Sequence, residues 1–196
     1  MGKASRFLIF TLTLCAVAIF TTTIVGALFY SPDTDIPVPQ DKQLETSPLQ
    51  HPARLIIPRL DIDTNVQEVG INAEGNMSVP SNFTDVGWYK YGVVPGGPGS
   101  AVMAGHVDNG LGLSGVFKNL GELEAGDEII VERQDGKRLT FVVTGKRSYA
   151  YDAVPTDIVF NPSGSTRLNL ITCEGAWVKS AKTYDQRLVV FTKLAS

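Results

Sequence analysis

The chain has 196 residues, of which 43% are hydrophobic and 19% charged, with 19 Gly and 11 Pro. That composition excludes a disordered or fibrous chain and predicts one turn-rich domain with an appended segment. A net charge of −3 argues against a nucleic-acid binder, and two His with two Cys exclude both a Cys/His zinc module and a disulfide framework.

From Phe7 to Tyr30 no side chain is charged. A helix needs about 20 apolar residues to cross a bilayer, and this run supplies them. Lys3 and Arg6 precede it, whereas Asp33, Asp35 and Asp41 follow it. The Lys/Arg bias predicts an inside N-terminus and an outside C-terminus. Residues 1–30 are therefore expected to be a cytoplasmic stub and one transmembrane helix, with the rest on the extracellular face of the cell membrane. A cleaved signal peptide ending near Val25-Gly26-Ala27 is the alternative, and it exports the same remainder.

Residues 31–53 read as a linker, since Pro32, Pro37, Pro39, Pro48 and Pro52 stiffen the chain and block strand pairing. The folded domain is expected over residues 54–196. Without residues 1–30 the chain carries 15 basic and 20 acidic side chains, so charge does not hold it to anionic lipid.

The domain reads as all-β. Residues 54–57, 100–106, 127–133, 138–144, 167–172 and 187–192 are short apolar or β-branched runs. Asp135-Gly136 between two of them predicts a hairpin. Pro58, Pro80 and Pro95 to Gly99 mark turns. Helical signals are confined to one or two turns at Ser114–Leu120 and at Thr156–Phe160. Many short strands separated by Gly/Pro turns predict a sandwich or a barrel.

Cys15 falls in the apolar run, so Cys173 is the only cysteine of the exported part. A single exported thiol points to intermolecular pairing or to reactivity, with a buried inert cysteine as the bland alternative. His106 ends a predicted strand, while His51 falls in the linker. An imidazole is the usual partner that lowers a thiol pKa. Cys173 ends one predicted strand and Arg187 begins the next. If those strands pair antiparallel, the two side chains share a sheet edge, where a guanidinium can hydrogen-bond an oxyanion. The plain alternative for Arg187 is a surface ion pair with Asp185. Asp108 is placed either to orient His106 or to sit solvated in a turn.

Gly105-His106 at one strand end, Leu170-Ile171-Thr172-Cys173 at another, and Arg187-Leu188-Val189-Val190 opening the last strand together resemble the sortases. These are membrane-anchored cysteine transpeptidases of Gram-positive bacteria. Asn169 stands where that family's signature has Thr. The resemblance covers about residues 54–196 and implies a closed β-barrel of about eight strands with short helices. It implies Cys173 as nucleophile, His106 as acid and base, and Arg187 with the Glu174 backbone N–H as the oxyanion site. It further implies that Thr172 lines the site and contacts an LPXTG-like sorting signal, cut at its Thr-Gly-type bond. An amine, such as a peptidoglycan precursor or another protein, would then take the acyl group. Trp177, Tyr184 and Asp185 lie between Cys173 and Arg187, where signal or acceptor contacts are expected. Glu122, Glu124, Asp127 and Glu128 cluster without the Asp-x-Asp-x-Asp-Gly pattern of a calcium loop, so no metal and no cofactor are expected. The competing functions are an exported cysteine hydrolase and a non-catalytic surface module.

Overall fold

The computed structural model describes residue 38 and residues 47–109 and 112–195. The expected membrane helix, and linker residues 31–37 and 39–46, lie outside the described residues.

Eight strands close into a barrel: β1 (Pro52–Ile57), β2 (Ile62–Val69), β3 (Val86–Tyr89), β4 (Ser100–Ala104), β5 (Glu128–Arg133), β6 (Arg138–Ala150), β7 (Arg167–Val178) and β8 (Thr183–Leu194). The order around the barrel is β1-β2-β3-β4-β7-β8-β6-β5. Two pairs, β2 with β3 and β4 with β7, run parallel, and the others are antiparallel. The predicted hairpin forms at Gln134–Lys137, with Gly136 at φ 76°, a conformation that costs a Cβ-bearing residue more.

Alternation along the strands builds two apolar layers. Leu168 and Leu170 of β7, Leu188 and Val190 of β8, and Ala101 and Met103 of β4 face the barrel interior with Trp88 and Phe141. Val102, Ala104, Ile171 and Val189 face outward under a second cluster containing Met77, Val154, Val159 and Phe160. Burial on both faces explains why β4, β7 and β8 read as continuous apolar runs rather than alternating ones.

Several boundaries differ from the sequence reading. β7 and β8 run beyond residues 172 and 187, forming a hairpin whose tip extends past their pairings with β4 and β6. The register slips between Glu174 and Trp177, where Gly175 and Ala176 face Asp185 alone. This is a bulge: Gly175 adopts φ 86°, and the Asp185 carboxylate accepts from Ala176 N at 2.7 Å. The folded unit also starts before Arg54. β1 begins at Pro52, and the His51 ring packs against Trp88 at 4.9 Å. Residues 114–119 form a bridge and turns rather than a helix, followed by a 3-10 turn at Leu120–Glu122, whereas Thr156–Val159 is helical as expected.

Candidate active site

The site follows from strand order. β4, β7 and β8 are consecutive neighbours, spaced about 4.8 Å apart as strands are. Cys173 of β7 pairs directly with Arg187 of β8. On the other side, Ala104 of β4 pairs with Ile171 in parallel register. Continuing that register by two residues sets His106 beside Cys173. All three residues share the outward face with Ile171 and Val189, because alternate residues share a face. Imidazole, thiol and guanidinium thus form one row across three strands. His106, Cys173 and Arg187 all line one narrow cleft of about 30 Å³, with Thr172, Thr183, Tyr184 and Trp177. A larger open groove of about 560 Å³ runs past Arg54, Asp63 and Asp85, but it holds neither thiol nor imidazole.

Two short-range bonds hold β4 and β7 in this alignment beyond the end of β4. Gly105 N donates to Ile171 O at 3.1 Å, and the Thr172 hydroxyl donates to Gly105 O at 2.8 Å. Thr172 is 5% exposed. Its hydroxyl therefore fastens the backbone that carries His106, a positioning part distinct from the peptide contact the resemblance implied. Asn169, at the family's Thr position, is also buried and donates to Val159 O at 2.7 Å, fastening β7 to the helical turn.

His106 is 6% exposed, its Nε2–H donates to Pro80 O at 3.3 Å, and its ring meets Phe83 edge-on at 5.6 Å. Its backbone is pinned from below. Phe117 N donates to His106 O at 2.9 Å, and Gly115 packs so closely that an added Cβ would overlap that backbone carbonyl. Gly115→Ala should therefore displace His106. A displacement of about 1 Å at a catalytic group costs about 10²-fold in rate. The expected result is a loss of that order in kcat with a fold intact by circular dichroism; wild-type kcat would contradict it.

Arg187 is 1% exposed, so it is no surface ion pair. Its guanidinium donates to Tyr184 O at 2.9 Å, to Gln186 O at 2.8 Å and to the Thr183 hydroxyl at 2.6 Å, and lies 6.0 Å from the Tyr151 ring centroid. Those acceptors are neutral, so they orient the fork without cancelling its charge. Cys173 is in no disulfide and is half-buried. The Glu174 side chain accepts from Ser148 and lies outside the row.

Asp108 accepts a hydrogen bond from the Tyr184 hydroxyl at 2.5 Å, which joins the chain after β4 to the β7–β8 hairpin. Trp177, 44% exposed, stacks edge-on against Tyr184 at 5.4 Å. Burial, then the hydrogen bond and charge of Asp108, then Cys173, hold the Tyr184 pKa well above the ordinary 10.0. A folded-state pKa raised this way favours the protonated phenol. Its stabilising contribution is complete below the ordinary tyrosine value and is lost as pH rises through the folded value. In an alkaline titration followed by tyrosinate absorbance, Tyr184→Phe should remove a late-ionising component. Loss of an early one would contradict the bridge.

Among the described residues, no group of three or more His, Cys, Asp or Glu is arranged to hold a metal ion. Sequence reasoning missed Pro80, Phe83 and Thr183, which hold His106 and Arg187 in place. Their backbone carbonyl, ring and hydroxyl carry no distinguishing sequence signal.

A family model described as the sortase domain matches residues 55–195. Among solved structures, sortase C-1 from Actinomyces oris is 22% identical with a TM-score of 0.55, covering 74% of this chain and 73% of that one. A lid mutant of sortase A from Corynebacterium diphtheriae is 21% identical with a TM-score of 0.57, over 74% and 70% of the two chains. Sortase A from Listeria monocytogenes is 18% identical with a TM-score of 0.55, over 75% and 88%. At these identities the structural likeness speaks for the fold. No protein of curated function matches the chain.

Proposed function

The chain belongs to the sortase family of cysteine transpeptidases, and on that basis we propose that it cuts an LPXTG-like sorting signal at the Thr-Gly-type bond and joins the acyl part to an amine. The carrying observation is the row formed by His106, Cys173 and Arg187 across β4, β7 and β8. The Cys173 thiolate attacks the scissile carbonyl carbon. The carbonyl oxygen takes the negative charge and is met by the Arg187 guanidinium and the Glu174 backbone N–H. As the tetrahedral intermediate collapses, the C–N bond breaks and His106 protonates the departing amine. A thioester to Cys173 remains. In the second half the incoming amine gives its proton to His106 and forms the new amide. The C–S bond breaks, and the Cys173 thiolate is released for the next cycle.

Donors are secreted proteins carrying the signal near their C-terminus, and the acceptor is a cell-wall precursor or another protein amine. Residues 7–30 anchor the enzyme in the cell membrane with its domain outside, where such donors emerge. The test is incubation with an LPXTG-type peptide, with and without a glycine-based amine, and identification of products by mass. The amide of the added amine is expected. Free acid alone, despite abundant amine, would make the protein a hydrolase.

A further inference from the structure

Asn169 departs from the family signature on the very strand that carries Cys173, and the transfer chemistry leaves its side chain unused. Its place follows from the register. Cross-strand partners set three outward rows over β4, β7 and β8: His106, Cys173 and Arg187, then Ala104, Ile171 and Val189, then Val102, Asn169 and Phe191. The second and third rows are apolar apart from Asn169, which is 1% exposed. Val154, Val159 and Phe160 pack on them in one cluster, so residues 154–160 cover that face next to the catalytic row.

Among the described residues, one hydrogen bond ties residues 154–160 to a strand: Asn169 Nδ2 donates to Val159 O at 2.7 Å. Val159 is buried and ends the helical turn, where carbonyls lack a partner within the helix, so this bond caps the turn from the barrel wall. The other half of the amide is unsatisfied, since Asn169 Oδ1 is buried without a hydrogen-bond partner. Such an amide adds little stability, because the orphaned oxygen offsets the bond that the nitrogen makes. What it supplies is placement. The Thr of the family signature carries its hydroxyl one bond nearer the backbone and does not span to Val159 O.

Resting on the transpeptidase reading above, we propose that Asn169 is a positioning residue for the acyl donor. It latches the turn Thr156–Val159 to the strand that carries the nucleophile, and so presets one wall of the face along which the donor leaves Cys173. Ile171 joins the two regions, since it lines the cleft that holds Cys173 and packs in the same cluster as Val159. Two residues of extended chain span about 6.6 Å, so the part of the donor two or three residues before the cleaved bond lies over the second row, beside the turn. That row is apolar, as are the Leu and Pro of the signal. With the turn latched beforehand, its ordering is complete before the donor binds and takes nothing from affinity. Asn169 touches neither the sulfur nor the cleaved carbonyl, because four residues of strand, about 13 Å, separate it from Cys173. Its effect therefore falls on affinity for the donor rather than on the chemical step.

Asn169→Leu and Asn169→Thr both delete the latch. In the first, the orphaned Oδ1 disappears as Val159 O loses its partner, so one unsatisfied oxygen replaces another and the fold should survive. Asn169→Thr, which restores the family residue, serves should the first fail to fold. Hydrogen exchange of residues 156–160 should quicken in the folded variants. KM for an LPXTG-type peptide at saturating amine should rise roughly fivefold or more, in proportion to the loss of latched turn, while kcat stays within about twofold. A merely structural role would lower Tm and the active fraction, and with it kcat, and leave KM alone. Unchanged exchange in both variants overturns the latch. Quickened exchange with KM unaltered, or with the loss in kcat, overturns its part in placing the donor. An unmodified protein that turns over no LPXTG-type peptide overturns the transpeptidase reading and the donor's place with it, while exchange still decides the latch.

Discussion

Cys173→Ala should reduce kcat/KM for an LPXTG-type peptide by roughly 10⁴- to 10⁶-fold, the scale seen when a covalent nucleophile is removed. No second thiol stands in residues 31–196, because the other cysteine is Cys15. The substitution deletes one sulfur from a half-buried position on a paired strand. Neither a core cavity nor a buried polar group is created, so the fold should survive with a loss of less than about 1 kcal/mol. Turnover and thermal melting must therefore separate: activity vanishes while Tm stays within a few degrees. Residual turnover above about 1% of wild type, in protein shown by mass to carry the substitution throughout, would remove the sulfur from the mechanism.

Arg187 is expected to give the next largest effect, and the variant chosen matters. Arg187→Ala removes a cation from beside the developing oxyanion. Loss of one such donor costs about 10²- to 10³-fold in kcat. It also strips a partner from Tyr184 O, Gln186 O and the Thr183 hydroxyl, and each buried group left unsatisfied costs about 1–3 kcal/mol. Loss of stability would then accompany loss of rate. Arg187→Lys separates the two. It keeps the charge but cannot reproduce a planar fork held by three acceptors, so it should lower kcat at least about tenfold while melting closer to wild type. Because the oxyanion is absent from the bound substrate and develops only as the thiolate attacks, the loss should lie in kcat rather than KM. A Lys variant with wild-type kcat would show that charge alone suffices or that Arg187 is purely structural. Retention of kcat in the Ala variant would decide for the second.

Chemistry and strand pairing were legible in the sequence to different degrees. Runs buried on both faces announced β4, β7 and β8, and Asp135-Gly136 announced the β5–β6 hairpin. β2 did not announce itself, because Ile62–Val69 is largely polar and only half-buried. β3 is four residues long and contains Gly87, where an added Cβ would meet a Val69 methyl at 2.8 Å. Its glycine answers close packing, which a propensity scale scores as weakness. Barrel closure was expected from family resemblance alone. The parallel pairings were not legible, since parallel neighbours are distant in sequence.

Within the site, Cys173 and Arg187 could be paired by elementary antiparallel geometry, and the structure shows them as direct cross-strand partners. The hairpin beyond them was hidden by its own bulge. Gly175 interrupts alternation, so Trp177-Val178 and Thr183-Tyr184 read as loop. What fastens the row was not legible. The Thr172 hydroxyl reaches Gly105, the His106 ring reaches Pro80, and Tyr184 reaches Asp108, across sequence separations of 67, 26 and 76. Such contacts appear only once the strands are ordered.

The most direct test is intact-mass measurement of the protein after rapid acid quenching with an LPXTG-type peptide. A thioester between the Cys173 sulfur and the Thr carbonyl should add the mass of the peptide up to its Thr. Digestion should map that mass to Cys173, and hydroxylamine should remove it. Complete turnover of the peptide with no adduct on Cys173, or an adduct on any other residue, would contradict the mechanism.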